Sequence, residues 1–129
     1  MAARTIDEIE RGKVYTDLLI TARPAGNLTL PIIVIKGAAP GPTLTVVAGI
    51  HPTEYAGIEA ALRLARGLSP DEVKGRVVIL PFVNLAGFNA RAPGCRPADL
   101  VDVWSAFPGE HGASVTYAVA RGLLEKVVR

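Results

Sequence analysis

Aromatic residues are scarce in this chain, 5% of its 129 residues, so any core it builds must be aliphatic. A single cysteine, Cys95, excludes an internal disulfide. Histidine occurs only twice, at His51 and His111. No run of 18 apolar residues is present, so no membrane-spanning helix is expected. The start, Met-Ala-Ala-Arg-Thr-Ile-Asp-Glu, turns acidic at once and lacks the form of a secretion signal, which makes the cytoplasm the expected location. Charge of one sign is also missing: the net charge is +2, and the ten arginines are scattered without an aromatic platform beside them. That pattern argues against nucleic-acid binding.

What is present is aliphatic. Half of the residues are hydrophobic, and the mean hydropathy is +0.33. The length suits one domain with a real core and is too short for two.

The stretch Thr43 to Gly67, TLTVVAGIHPTEYAGIEAALRLARG, organises the rest. Thr43 to Ile50 is a β-branched apolar run, as expected of a strand covered on both faces. Gly49 permits a sharp turn. From Thr53 onward, Tyr55, Ile58, Leu62 and Ala65 recur at helical spacing, and Gly67 marks a stop. His51 and Glu54 fall between strand and helix, at the place where open α/β sheets build their sites.

Around this unit, the first dozen residues read as a frayed or pairing terminus. Val14–Ala22 and Leu28–Lys36 read as a hairpin about the turn Pro24–Asn27, and Pro31 argues that its second strand is an edge or bulged. Gly37 to Pro42 reads as a loop. Ser69 and Pro70 start a helical turn, and Arg76 to Val83 reads as another buried strand. Strand, helix, strand at this spacing predicts a parallel pair with a right-handed crossover. Asn84 to Gly112, with four glycines and three prolines, reads as a long irregular loop. Ser114 to Arg129 reads as a helix with Val115, Ala118, Val119, Leu123 and Val127 on one face.

A histidine nitrogen and a carboxylate oxygen are ordinary zinc ligands, and catalytic zinc takes three protein ligands plus water. His51 and Glu54 could supply two of the three. Capping of the following helix would explain Glu54 equally well. Asn84 either organises the site loop or is a strand-end turn residue. Trp104 either fills a pocket or anchors its loop by burial. His111, in a Gly-rich loop, reads as an exposed histidine, and Cys95 has no partner that would make it catalytic.

The blocks GPTLTVVAGIHPTEYAGIEAALRLARGL, KGRVVILPFVNLAGFNAR and FPGEHGASVTYAVARGLLEKVV, in this order, resemble the succinylglutamate desuccinylase and aspartoacylase family of zinc-dependent deacylases. The resemblance covers residues 30–128 and implies a carboxypeptidase-like α/β/α fold: a mixed, largely parallel sheet with flanking helices, of which residues 1–129 would form a single domain, the amino-terminal and truncated portion. It implies that His51 and Glu54 bind zinc and that the substrates are small N-acyl amino acids.

The departures from that resemblance bear on activity. The family pattern His-Gly-Asp-Glu reads His51-Pro52-Thr53-Glu54 here, which removes an amide hydrogen and a carboxylate that could orient a ligand. The family's Asp-Leu-Asn-Arg reads Asp102-Val103-Trp104-Ser105, so the Asn-Arg clamp on the substrate carboxylate is missing, and serine cannot replace an arginine fork. The implied substrate-binding residues are Asn84, which ends the buried strand as the corresponding family asparagine does, and Arg91 and Arg96, which flank the place near Pro93 where a further substrate-contacting arginine is expected. The third zinc ligand and the general base are implied to lie past Arg129. Two functions follow as expectations: a hydrolase domain that is incomplete or inactive as this chain alone, with zinc weak or absent, or a non-catalytic relic serving as a binding or oligomerising module. An open sheet edge and uncovered apolar faces predict a homo-oligomer.

Overall fold

The computed structural model describes residues 5–23, 26–94 and 97–128. Strand β1 (Gly12–Ala22) and strand β2 (Gly26–Lys36) form the expected hairpin, antiparallel over their full length with Gly12 opposite Lys36 and Ala22 opposite Gly26. Pro24 and Ala25, in the expected turn, lie outside the described residues. Strand β3 (Ala39–Val47) leads into helix α1 (Tyr55–Gly67) and returns through a capped turn, Pro70–Glu72, to strand β4 (Lys74–Leu80). The strand order is β1-β2-β4-β3. The expected parallel pair is β3 with β4, while the hairpin contributes two antiparallel pairings, so the sheet within these residues is mixed.

Alternation along β2 and β4 divides the core between two faces. Ile33, Ile35, Val77 and Ile79 pack on one side with Ala61 and Ala65 of α1. Val34, Val78 and Leu80 point the other way, into a cluster with Leu18, Ile20, Val103, Val119 and Leu123. Val119 and Leu123 come from helix α4 (Val115–Lys126), and Val103 from the short helix α3 (Val103–Ala106), so helices cover both faces. Lys13 of β1 reaches across to donate to the Ala65 carbonyl at 2.6 Å, meeting the open carbonyls at the end of α1.

Five expectations need correction. Of the opening segment, residues 1–4 lie outside the described residues, while residues 5–11 are neither frayed nor paired in the sheet: they form a short turn, Ile6–Glu8, with Ile6 and Ile9 buried in the larger cluster, and burying an isoleucine contributes about 1.5–3 kcal/mol. Ala39 to Pro42 is strand, not loop. Pro40 and Pro42 are tolerated because β3 is an edge, where an outward amide needs no partner. The two chains nearly touch there: a Cβ on Gly75, which has φ +78°, would lie 2.2 Å from the Pro42 carbonyl oxygen. The third correction concerns the cover of β3. Its apolar run promised two covered faces, yet Leu44 is 58% exposed and Val47 39% exposed. A β-branched run states that a strand forms, not whether it lies inside the sheet or at its margin. Fourth, Pro31 lies in an interior strand, but β4 pairs only with Ile33 to Lys36 of β2, so at Pro31 the only neighbour is β1. Fifth, the long irregular loop contains helix α2 (Leu85–Ala90) as well as α3. Each is too short to show helical periodicity, and each is started by a polar cap, Asn84 to the Gly87 amide and Asp102 to the Trp104 amide.

Candidate functional site

The pairing of β3 with β4 runs on past the strands. Ala48 donates to the Leu80 carbonyl at 2.8 Å, and Asn84 donates to the Gly49 carbonyl at 2.8 Å. Gly49 then breaks the ladder with φ +68°, where a Cβ would lie 2.7 Å from the Pro81 carbonyl oxygen. Only glycine fits that close approach. The turn Ile50–Thr53 therefore starts from a fixed point, and it delivers His51 and Glu54 beyond the carboxyl end of β3.

Glu54 occupies the cap position of α1, yet its side chain makes no capping hydrogen bond. It turns instead to His51, with Oε1 3.1 Å from Nδ1. The capping explanation for Glu54 is thereby set aside. The other imidazole nitrogen, Nε2, lies 3.1 and 3.2 Å from the two carboxylate oxygens of Asp102. Donation from Nε2 to Asp102 selects one neutral tautomer and leaves the Nδ1 lone pair aimed at the Glu54 side. When the ring is protonated, both nitrogens donate. The Glu54 carboxylate accordingly raises the His51 pKa above its ordinary value; partial burial opposes this, and Asp102 adds to it.

Asp102 is the member of this cluster that sequence reasoning did not single out. It also caps α3, accepting the Trp104 amide at 2.9 Å, so one carboxylate fixes both the imidazole and the start of a helix. Its position in Asp-Val-Trp-Ser reads as a possible cap. No spacing rule ties residue 102 to residue 51; the fold alone joins them.

Two donors that share one tetrahedral zinc at about 2.1 Å each stand about 3.4 Å apart. The 3.1 Å separation of Nδ1 and Oε1 is close to this, so the pair fits two positions of such a site. Among the described residues, no group of three or more His, Cys, Asp or Glu side chains is arranged to hold a metal.

A cavity of about 430 Å³ opens beside the pair, lined by the backbone and side chains of residues 46–51 with Glu54, Gly57 and Trp104. The other sequence-predicted residues stand apart from it. Asn84 is fully buried at the start of α2, accepting the Gly87 amide at 3.0 Å, and it supports the site loop from beneath through Gly49. Arg91 ends α2 in a left-handed conformation, φ 54°, exposed and away from the cavity lining. Arg96 and Cys95 lie outside the described residues. His111 is exposed and pairs with Glu125 at 3.2 Å. Trp104 neither anchors the loop by burial nor fills a closed pocket: it is 68% exposed and forms a wall of the cavity.

A sheet with helices on both faces, with its polar pair just outside the carboxyl end of a parallel strand, places this chain among the open-sheet α/β folds. Residues 40–123, more than half of the chain, match the family model described as Succinylglutamate desuccinylase/Aspartoacylase catalytic domain. The chain belongs to the succinylglutamate desuccinylase/aspartoacylase family. It is 35% identical over 95 residues to an N-alpha-acetyl-L-2,4-diaminobutyric acid deacetylase of Halomonas elongata, a match that covers 74% of this chain and 27% of that protein. A succinylglutamate desuccinylase/aspartoacylase from Rhodobacter sphaeroides is 31% identical with a TM-score of 0.74, over 94% of this chain and 38% of the other. The product-bound ectoine utilization protein EutE (DoeB) of Ruegeria pomeroyi is 28% identical with a TM-score of 0.79, over 92% and 37%. An aspartoacylase family protein from Mesorhizobium loti is 25% identical with a TM-score of 0.84, over 97% and 39%. The chain thus spans between about a quarter and two fifths of the length of these relatives. Among the described residues, no helix is long and apolar enough to cross a membrane.

Proposed function

We propose that this chain carries the metal-binding turn and one substrate-facing wall of a zinc-dependent amide hydrolase acting on N-acyl amino acids. The observation that carries this reading is the His51–Glu54 pair: two donors converge at 3.1 Å, and the glutamate is not used as a cap. In this reading His51 Nδ1 and Glu54 Oε1 hold the metal. Asp102 keeps the imidazole in the ligating tautomer and raises its basicity. Zinc in such a site acts as a Lewis acid on the amide carbonyl and makes water a nucleophile at neutral pH. The cavity beside the pair admits the amide, and the wall of β3 orients it. The relatives are far longer, and the remaining ligand and the proton-transferring group come, in this reading, from polypeptide outside these 129 residues.

The test is a zinc competition titration against a chromophoric chelator, with hydrolysis of N-acetyl amino acids followed on the same samples. One zinc per chain, lost in His51→Ala and in Glu54→Ala, supports the reading. A folded chain that takes up no zinc overturns it for this polypeptide.

The free edge of β3, with Leu44 exposed on it, favours a second reading as an oligomerising module. Light scattering at micromolar concentration then gives a homodimer mass that Leu44→Lys converts to monomer, without zinc uptake or turnover. A monomer mass for the unsubstituted chain removes this reading.

A further inference from the structure

His51 and Asp102 are braced by different parts of the molecule. The histidine turn is fixed by the sheet, since Gly49 accepts from the Asn84 amide just past the end of β4. Asp102 lies in the segment 99–103, which is carried by α4 instead. Val103 is fully buried in the cluster that contains Val119 and Leu123 of that helix. Helix α4 is in turn seated closely on β1: a Cβ added to Gly122 would lie 3.1 Å from Cγ2 of Ile20. Whether the aspartate reaches the histidine therefore depends on how the segment 99–103 is tied to α4.

The polar tie is Asp99. Its Oδ2 accepts the Ser114 hydroxyl at 2.6 Å and the Thr116 amide at 2.9 Å, and its Oδ1 accepts the Thr116 hydroxyl at 2.7 Å. Thr116 is fully buried, so this hydroxyl donates to Asp99 without competition from water. Oδ1 also accepts the Val101 amide at 3.2 Å, one residue before Asp102. One carboxylate thus joins the amino end of α4 to the backbone that carries Asp102. Between Asp99 and Val101, Leu100 has φ +56° and a side chain that is 75% exposed. A residue with a Cβ disfavours that conformation, and an exposed side chain returns little packing for it, so the backbone there is imposed by its flanks.

We propose that Asp99 is a positioning residue of the site: by tying residues 99–101 to the start of α4, it places the Asp102 carboxylate against His51 Nε2 and so strengthens the hold of the His51–Glu54 pair on zinc. The proposal rests on the reading of that pair as zinc ligands and adds to it a residue that acts through Asp102. A carboxylate that served only to cap α4 would change stability and leave the zinc constant alone.

Zinc competition titration is run on the folded chain and on Asp99→Asn, alone and combined with Asp102→Ala, with urea unfolding of each sample. The expected zinc constant of Asp99→Asn is about three- to tenfold weaker than that of the parent, less than the loss from removing an orienting partner outright. In the Asp102→Ala background the same substitution changes the constant by less than about twofold, because the residue through which Asp99 acts is gone. Ser114→Ala removes one hydrogen bond to Asp99 and weakens zinc binding in the same direction, while Ser114→Thr keeps the hydroxyl and the parental constant. That pair decides the matter if Asp99→Asn does not fold. Gly75→Ala, which is destabilising at the opposite end of β3, keeps the parental constant. Unchanged zinc binding in Asp99→Asn and Ser114→Ala overturns the proposal and leaves the zinc reading standing. Full additivity of Asp99→Asn with Asp102→Ala, or an equal loss in Gly75→Ala, does the same. A folded parent chain that takes up no zinc overturns the zinc reading and the proposal with it.

Discussion

Replacing Asp102 by alanine is the most informative single perturbation of this site. Two interactions are lost together: the acceptor 3.1 Å from His51 Nε2, and the cap on the Trp104 amide at 2.9 Å. The two losses have different readouts. Removal of the partner that orients a ligating histidine costs about 10–100-fold in metal affinity, equivalent to about 1.4–2.7 kcal/mol. Loss of a cap costs roughly 0.5–2 kcal/mol of stability. Asp102 is partly exposed and α3 has four residues, so the lower half of that range applies. Asparagine separates the effects. Its side-chain oxygen still accepts the Trp104 amide, restoring stability to within about 0.5 kcal/mol, but it lacks the charge that raises imidazole basicity. Zinc competition titration at pH 7.5 and urea unfolding at the same pH supply the two readouts. Expected are a 10–100-fold weaker zinc constant for Asp102→Ala and an intermediate constant with near-parental stability for Asp102→Asn. If Asp102→Ala binds zinc as tightly as the parent, the imidazole is oriented by something else and the reasoning fails.

Asp99 predicts a pH effect on stability that does not depend on metal. Burial raises its pKa, but the hydroxyl of Ser114, the amide and hydroxyl of Thr116 and the amide of Val101 outweigh burial and hold it below the ordinary carboxylate value. A depressed folded value means stability that is fully present above the unfolded pKa and lost as pH falls through the folded one, here below about pH 4. Asp99→Asn replaces one carboxylate oxygen, such as the Oδ2 that accepts from both the Ser114 hydroxyl and the Thr116 amide, and lowers stability by about 1–3 kcal/mol at pH 7, with the gap to the parent closing towards pH 2 in urea titrations. A gap that stays constant across that range contradicts the assignment. Gly75→Ala meets the Pro42 carbonyl oxygen at 2.2 Å with φ +78°, and thermal unfolding should show a loss of at least about 2 kcal/mol. An unchanged midpoint would mean that β3 and β4 approach less closely at Gly41 and Gly75.

Local chemistry alone located the His51–Glu54 turn. A β-branched run, a glycine and an amphipathic helix each report on their own few residues, and together they set the strand, the turn and the donor pair at its end. The hairpin was readable for the same reason, since alternation and turn residues act over short distances. The blocks that carry the family resemblance are likewise written in the sequence, including the replacement at Trp104 and Ser105.

What the sequence left open depends on residues far apart in the chain. That β3 lies at an edge follows from the order β1-β2-β4-β3, because apolar strands read alike in the middle of a sheet and at its margin. Burial of Ile6 and Ile9 required the opposite face of the sheet to be in place. Glu54 chooses between a helix cap and a histidine only when the turn has its final shape. Asp102 meets His51 across 51 residues, and no pattern of spacing encodes that meeting. The donors were legible because each is marked by its neighbours in the chain. The aspartate that contacts His51 and the indole wall beside the pair belong to the tertiary structure, which alone brings α3 to the turn after β3.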